Sequence, residues 1–266
     1  MNRFVSFIIA GLMVAPLALP AQSAPSVKTG TGSAKAFSQL AFGAGISTLG
    51  VQLQAASNLN PHFGVRGTGN FFNYSTNFTS NGITANAKLN LASAGAALDI
   101  YPFRLGFRLS PGLLFYNQNQ LTGTAAVPAG TSFTLNGITY YSANANSATG
   151  ATPVNGNAFL GLNTTKPAFT ITTGWGNLTP RTRHFSFPFE LGVAIIGAPK
   201  VNVNLGGWAC YDQAQTECAN IAGNNPIGNA VQSNLTAQEA KWTTDLNPLK
   251  TYPIVSAGVA YSFHVR

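Results

Sequence analysis

The sequence predicts an all-β chain: a closed antiparallel transmembrane β-barrel of about eight strands, with long extracellular loops and one short loop helix. Three observations carry the prediction. From Phe185 to Ile195 every second residue is bulky and apolar (Phe185, Phe187, Phe189, Leu191, Val193, Ile195), with Ser186, Pro188, Glu190, Gly192 and Ala194 between them. Period-2 alternation describes a strand with two unlike faces. A soluble sandwich turns the bulky face inward and shows water a charged surface. A transmembrane barrel turns it to lipid and keeps small and polar residues in the lumen. Second, Asp, Glu, Lys and Arg make up only 8% of the 266 residues, against about a quarter in soluble domains. A water-facing surface so poor in charge invites aggregation, whereas a lipid-facing one needs none. Third, short turns alternate with long polar loops, which is the layout of a barrel with periplasmic turns and external loops.

The N-terminus fits export. Asn2 and Arg3 precede an apolar run over residues 4–15, and small residues follow at 20–24. Residues 1–23 therefore read as a secretory signal peptide, with cleavage after Ala21, Ser23 or Ala24. A dozen apolar residues is short for a helical span, and no other segment reaches about 18. Insertion must then be as a barrel. Residues 24–35, rich in Ser, Thr, Gly and Lys, read as a flexible segment, and residues 36–266 as the barrel.

The strands follow in order. Residues 36–46 supply the first, turning near Ser47-Thr48; the alternative is one bent strand over residues 37–55. Residues 49–55 alternate cleanly, and a turn follows at 57–61. Residues 63–74 place Val65 and Phe71 opposite Arg66, Thr68 and Asn70. A polar loop at 75–82 leads to a long strand over 83–100. There Leu89 and Leu91 share one parity but Leu98 and Ile100 the other, so a bulge near residues 92–96 is expected. Residues 107–115 alternate again. A long loop over 121–166 contains a hairpin through Asn136-Gly137. Strand 169–175, a turn at 179–183 and the Phe-rich strand follow, the last extending toward Leu205. A loop over 206–250 holds a helical stretch, 229–245, with Val231, Leu235 and Trp242 spaced for one face. Residues 252–265 form the final strand. Aromatic residues gather at both strand ends: Phe63, Tyr101, Phe103, Phe185 and Phe263 at one, Phe71, Phe72, Tyr74, Phe115 and Tyr116 at the other. These match interfacial girdles.

Parity, with the bulge included, assigns Arg66, Lys88, Asp99, Arg108 and Glu190 to the lumen. A charge inside a narrow barrel must be paired and hydrogen-bonded, so Arg66 and Arg108 are expected to meet Glu190 and Asp99. Such a set either plugs the barrel or lines a path for a small solute; an eight-stranded bore, which side chains just fill, favours the plug. Cys210 and Cys218, an even pair in an exported chain, are expected to form a loop disulfide. The three histidines fall near the short-turn end, away from the acids of the long loops, so no Ser/His/acid set for hydrolysis is expected. The net charge of +8 comes from scattered residues with no nucleic-acid motif. No cofactor or metal is expected.

Several segments carry a resemblance: Thr48 to Val51, Phe63 to Gly67, Ser110 to Asn117, Arg183 to Val193 and Tyr252 to Val259. Together they resemble the small outer-membrane β-barrel domain proteins of the acidobacterial type. The resemblance implies a bacterial outer-membrane location and a single barrel, and it implies no substrate or chemistry. It also implies contact with outer-membrane lipid and lipopolysaccharide, and with the machinery that inserts barrels. That machinery reads a terminal aromatic; here Val259, Tyr261 and Phe263 fit, with His264-Val265-Arg266 beyond them. The expected role is a non-enzymatic structural or surface-interaction protein. The alternatives are a small porin-like channel for small or hydrophobic solutes, and a secreted soluble β-rich adhesin.

Overall fold

The computed structural model describes residues 35–265 apart from residues 81, 104–105, 163–166 and 181–182. The expected signal peptide and all but Lys35 of the expected flexible segment lie outside the described residues. The described residues begin with β1 (Gln39–Ser47), β2 (Gly50–Asn58), β3 (Phe63–Ser80), β4 (Ile83–Ile100) and β5 (Arg108–Asn117). Four short strands follow: β6 (Gln120–Ala126), β7 (Ser132–Leu135), β8 (Ile138–Ser142) and β9 (Asn155–Gly161). Then come β10 (Ala168–Trp175), β11 (Phe185–Ser186), β12 (Phe189–Ile195), β13 (Lys200–Gly206), β14 (Trp208–Cys210) and β15 (Cys218–Asn220). The helix α1 (Pro226–Asp245) and a 3-10 turn (Asn247–Lys250) precede β16 (Thr251–His264).

Hydrogen-bonded neighbours run β4, β3, β2, β1, β16, β12, β10, β5, and β5 pairs back onto β4. Eight strands thus form a ring of antiparallel pairings. β11 and β12 are one strand interrupted at Pro188, which has no N–H to give. Their register on β16 is unbroken: Phe185 faces Tyr261 and Phe189 faces Ala257. The described residues contain sixteen strands where about eight were expected. The ring holds eight of them plus β11. The other seven build structure at the long-loop end. β6, β9 and β13 add to the upper half of β4 as a branch sheet, while β15, β14, β8 and β7 form a separate four-stranded sheet.

Within the ring the outward positions are apolar. Phe42, Ile46, Leu53, Val65, Phe71, Leu98, Phe169, Ile171 and Leu191 are exposed, and Phe185 and Phe187 are among the most exposed side chains. The inward positions are filled in layers. Ala41, Ala56, Leu178 and Ala260 cluster together, as do Leu49, Leu114, Ala168, Ala194, Ile196 and Ile254. Buried charged side chains occupy further inward positions.

The expected bulge in β4 is absent from its pairing with β3. Eighteen consecutive pairs, from Phe63–Ile100 to Ser80–Ile83, keep one register. The irregularity lies in β5, where Ala94 faces Tyr116 but Gly95 faces Leu114, so that Phe115 is the extra residue. The leucine pattern has a different cause. Below the Phe71–Ala92 pair, the outward face is apolar and the inward face polar. Above it the polarity inverts with parity unchanged. Asn73, Ser75, Asn77, Asn86, Lys88 and Asn90 lie outward, whereas Phe72, Tyr74, Leu89 and Leu91 share the inward parity of Arg66 and Asp99. Three girdle assignments change: Phe72 and Tyr74 are on the inward parity, and Tyr101 is buried.

The long connections are folded. The core beneath the branch sheet comprises Val127, Leu135, Tyr140, Val154, Ala209, Ile221, Ile227, Val231 and Leu235, with Val203 and Leu205 packed against it. The β7–β8 hairpin turns through Asn136 (φ 50°) and Gly137 (φ 86°), the left-handed pair its two-residue turn requires. Helix α1 is longer than expected at 20 residues; Asn225 caps it by accepting from Gly228 N, and Pro226 occupies its first turn. Val231, Leu235 and Gln238 form its buried face, with Trp242 only half-buried. Asn234 Nδ2 donates to Tyr140 Oη at 2.8 Å, and Tyr140 stacks on Tyr211 with centroids 5.8 Å apart.

Candidate functional site

Four of the five predicted interior charges come together. Arg66 comes from β3, Asp99 from β4, Arg108 from β5 and Glu190 from β12. All are inward by strand alternation, and their exposures are 4%, 1%, 0% and 2%. Arg66 grips Glu190 with both ends of its guanidinium, Nη1 to Oε2 at 2.8 Å and Nη2 to Oε1 at 2.7 Å. This fork geometry is the strongest form of the pair. Nη2 also donates to Asp99 Oδ1 at 3.1 Å. Arg108 stands 3.6 Å from Glu190 Oε2 and 4.0 Å from Asp99 Oδ1, and its Nη1 donates to the Gly176 carbonyl.

Neutral side chains complete the cluster. Ser110 Oγ donates to Asp99 Oδ1 at 2.6 Å, Ser256 Oγ to Glu190 Oε2 at 3.5 Å, and Thr172 Oγ1 to Glu190 Oε1. Gly174 leaves room for Arg108: a Cβ there would meet the guanidinium at 3.3 Å and the Phe189 carbonyl at 2.5 Å. Ser110, Thr172, Ser256 and Gly174 were not singled out from sequence, although alternation around Arg108 and within β10 and β16 puts all four inward. Two cations face two carboxylates, so the cluster is neutral, and each carboxylate is engaged by at least two donors or cations. Such a set has no uncommitted nucleophile or base. It holds strands together across the ring.

Lys88 does not join it. Without a bulge in β4, position 88 has the parity of Leu98. Its side chain is exposed on the outward face of the branch sheet, where residue 88 pairs with Ser75 and Thr122. Cys210 and Cys218 form the expected disulfide, joining β14 to β15. The histidines sit at the short-turn end, each against a local partner; His62 Nδ1 lies 3.0 Å from the Tyr101 carbonyl and His184 Nδ1 2.9 Å from that of Ser262. Among the described residues no group of three or more His, Cys, Asp or Glu could hold a metal ion.

No protein-family model and no curated protein matches the chain. Solved structures do. Acinetobacter baumannii CarO is 18% identical with a TM-score of 0.52, over 84% of this chain and 97% of that one. A. baumannii CarO2 is 19% identical with a TM-score of 0.53, over 86% and 100%. The likeness is one of fold: the described residues are mostly antiparallel β-sheet with a single α-helix, built like the CarO outer-membrane β-barrels.

Proposed function

We propose that the eight-stranded ring is a closed transmembrane barrel of the bacterial outer membrane, exported by a signal peptide at residues 1–23. Its role on this reading is structural or surface-interacting, without enzymatic activity and without a cofactor. Its lumen is plugged. The observation that carries the reading is the neutral cluster of Arg66, Asp99, Arg108 and Glu190, drawn from four ring strands and almost wholly buried. Eight strands leave a bore that side chains just fill, and apolar residues fill other inward positions. The exposed apolar outer face of the ring supports lipid as its surroundings. The folded, largely uncharged segments at the other end support a surface role.

Outer-membrane lipid and lipopolysaccharide are the surroundings implied, and the barrel-insertion machinery reads the Val259, Tyr261, Phe263 alternation of β16. Membership in the acidobacterial-type group of such barrels belongs to the same proposal. The test is single-channel recording on refolded protein in planar bilayers. A plugged barrel gives no steady conductance steps; reproducible steps would establish the porin-like alternative. Heat-modifiable gel migration after membrane extraction tests the barrel itself, and recovery as soluble protein would return the adhesin alternative.

A further inference from the structure

The branch sheet has two edges, treated differently. At one, α1 lies against β13, and the Glu239 carboxylate accepts from Val203 N. At the other, β3 pairs with β2 only as far as Phe71, so from Asn73 to Ser80 its one partner is β4. The phase of the ladder identifies the unpaired groups. Tyr101 N donates to His62 O, and constant register makes Tyr74–Leu89, Thr76–Ala87 and Phe78–Ala85 hydrogen-bonded pairs too. The N–H and C=O groups of Asn73, Ser75, Asn77 and Thr79 therefore point away from β4, toward open space among the described residues. Soluble edges are guarded by Lys, Pro, bulges or a covering element. Residues 72–80 contain no charged residue and no proline, and Tyr74 and Phe78 are exposed on one face, with Thr76 between them.

We propose that this edge pairs with the same edge of a second copy of the chain. The segment is self-complementary about Thr76. In the antiparallel register centred there, Asn73 faces Thr79 and Ser75 faces Asn77, so that the four outward-pointing residues of each copy exchange hydrogen bonds. Tyr74 faces Phe78 on one side of the sheet, twice by symmetry, and hydroxyl and amide side chains face one another on the other side. These pairings are the favourable ones, and no like charges meet.

The symmetry has a consequence that rests on the barrel reading. The two-fold axis relating two identical antiparallel edges runs perpendicular to the sheet. In a barrel wall that direction lies in the membrane plane. The two copies therefore point in opposite directions along the membrane normal, and the contact joins two membranes; neighbours within one membrane cannot make it. A seven-residue strand pair is smaller than the roughly 1,200 Å² of stable complexes. One contact is weak, and many acting together between two surfaces supply the avidity.

The test uses the full chain refolded into phosphatidylcholine vesicles. Protein-bearing vesicles are expected to cluster, read as turbidity, and Ser75→Pro or Asn77→Lys to reduce clustering at least tenfold. Proline at 75 removes no internal hydrogen bond, because that N–H points away from β4. The chain's two cysteines are bridged to each other, so Thr76→Cys supplies the sole free thiol. It lies on the two-fold at a non-hydrogen-bonded pair, about 4.5 Å between Cα atoms, within disulfide reach. It should cross-link copies from differently labelled vesicles faster than Asn86→Cys, an exposed control on the neighbouring strand. Wild-type vesicles as dispersed as Ser75→Pro vesicles, or equal cross-linking by the two cysteines, would overturn the inference. Heat-modifiable migration is scored on the same samples: if it is present without clustering, only this inference fails, and if it is absent the barrel reading fails.

Discussion

Glu190→Ala tests whether the interior of the ring is dry. In the wild type two guanidinium groups face two carboxylates; the variant leaves Arg66 and Arg108 sharing Asp99, with one uncompensated positive charge. The Arg108–Glu190 separation is 3.6 Å. Coulomb's law then gives about 4–5 kcal/mol at an effective dielectric of about 20, but only about 1 kcal/mol in bulk water. The variant also strands Nη1 of Arg66, while Nη2 keeps Asp99 and the Thr172 hydroxyl keeps the Ser110 carbonyl. Breaking one partner out of a buried pair costs about 3–5 kcal/mol, and that is the expected loss. The assay is equilibrium denaturant unfolding in lipid vesicles, followed through the three tryptophans at 175, 208 and 242. Arg66→Ala combined with Glu190→Ala restores neutrality and should cost less than the sum of the single changes, by about 1–3 kcal/mol. A loss of about 1 kcal/mol or less for Glu190→Ala would refute the reasoning. The carboxylate would then be solvated, the interior open to water, and the porin-like reading preferred.

Other outcomes follow from the same geometry. Phe189→Arg places a charge on the outward face beside exposed Leu191 and should impair insertion by about 2–4 kcal/mol if it lies at mid-membrane; efficient folding into vesicles would mean the faces are reversed. Lys88→Met should change stability by less than about 0.5 kcal/mol, measured by the same unfolding assay, because Lys88 is outside the ion cluster. Replacing Cys210 and Cys218 by serine removes a clip of sequence separation 8, worth about 2.5 kcal/mol to the unfolded-state entropy. Amide exchange should rise around β14 and β15 and stay unchanged in the ring. Asp212 accepts from the Thr216 hydroxyl and amide, which holds its carboxyl below the ordinary carboxylate range. A lowered folded-state value means that its contribution is present above the unfolded value and lost as pH falls through the folded one. Protection of the Thr216 amide should therefore fade on acidification, and in Asp212→Asn it should be weaker and independent of pH there.

The ring was largely legible because its two faces alternate strictly residue by residue, apolar outward and small or polar inward. Phe185 to Ile195 states one face and Glu190 the other, and the inward parity of Arg66, Asp99 and Arg108 follows from the same counting. The segments above the ring obey no such rule. β7 has four residues and β15 three, too short for a period to emerge. The β6–β9–β13 pairings join residues far apart in sequence through Asn, Thr and Gly, which read as loop. Sequence parity misplaces Lys88 for a single reason: it reads Leu89 and Leu91 as the lipid face, which needs a bulge to reconcile them with Leu98. They mark the face toward the interior, in a stretch whose surroundings have changed. Strand alternation reports which residues share a side; the medium on that side must come from elsewhere.

On the barrel reading proposed above, the inversion at the Phe71–Ala92 pair works as a waterline. From Phe63 to Phe71 β3 runs for nine residues with no polar side chain on its outward parity, matching the 9–11 that a tilted strand uses to cross a bilayer. The next outward residues are Asn73, Ser75 and Asn77. Sinking the molecule by a single outward position would drag an amide into hydrocarbon, and raising it by as much would wet Phe71. A helix relieves such a mismatch by tilting. A ring of eight mutually bonded strands tilts as one body, so the draught of the protein is set by its sequence, and the lipid around it must thin or thicken to suit.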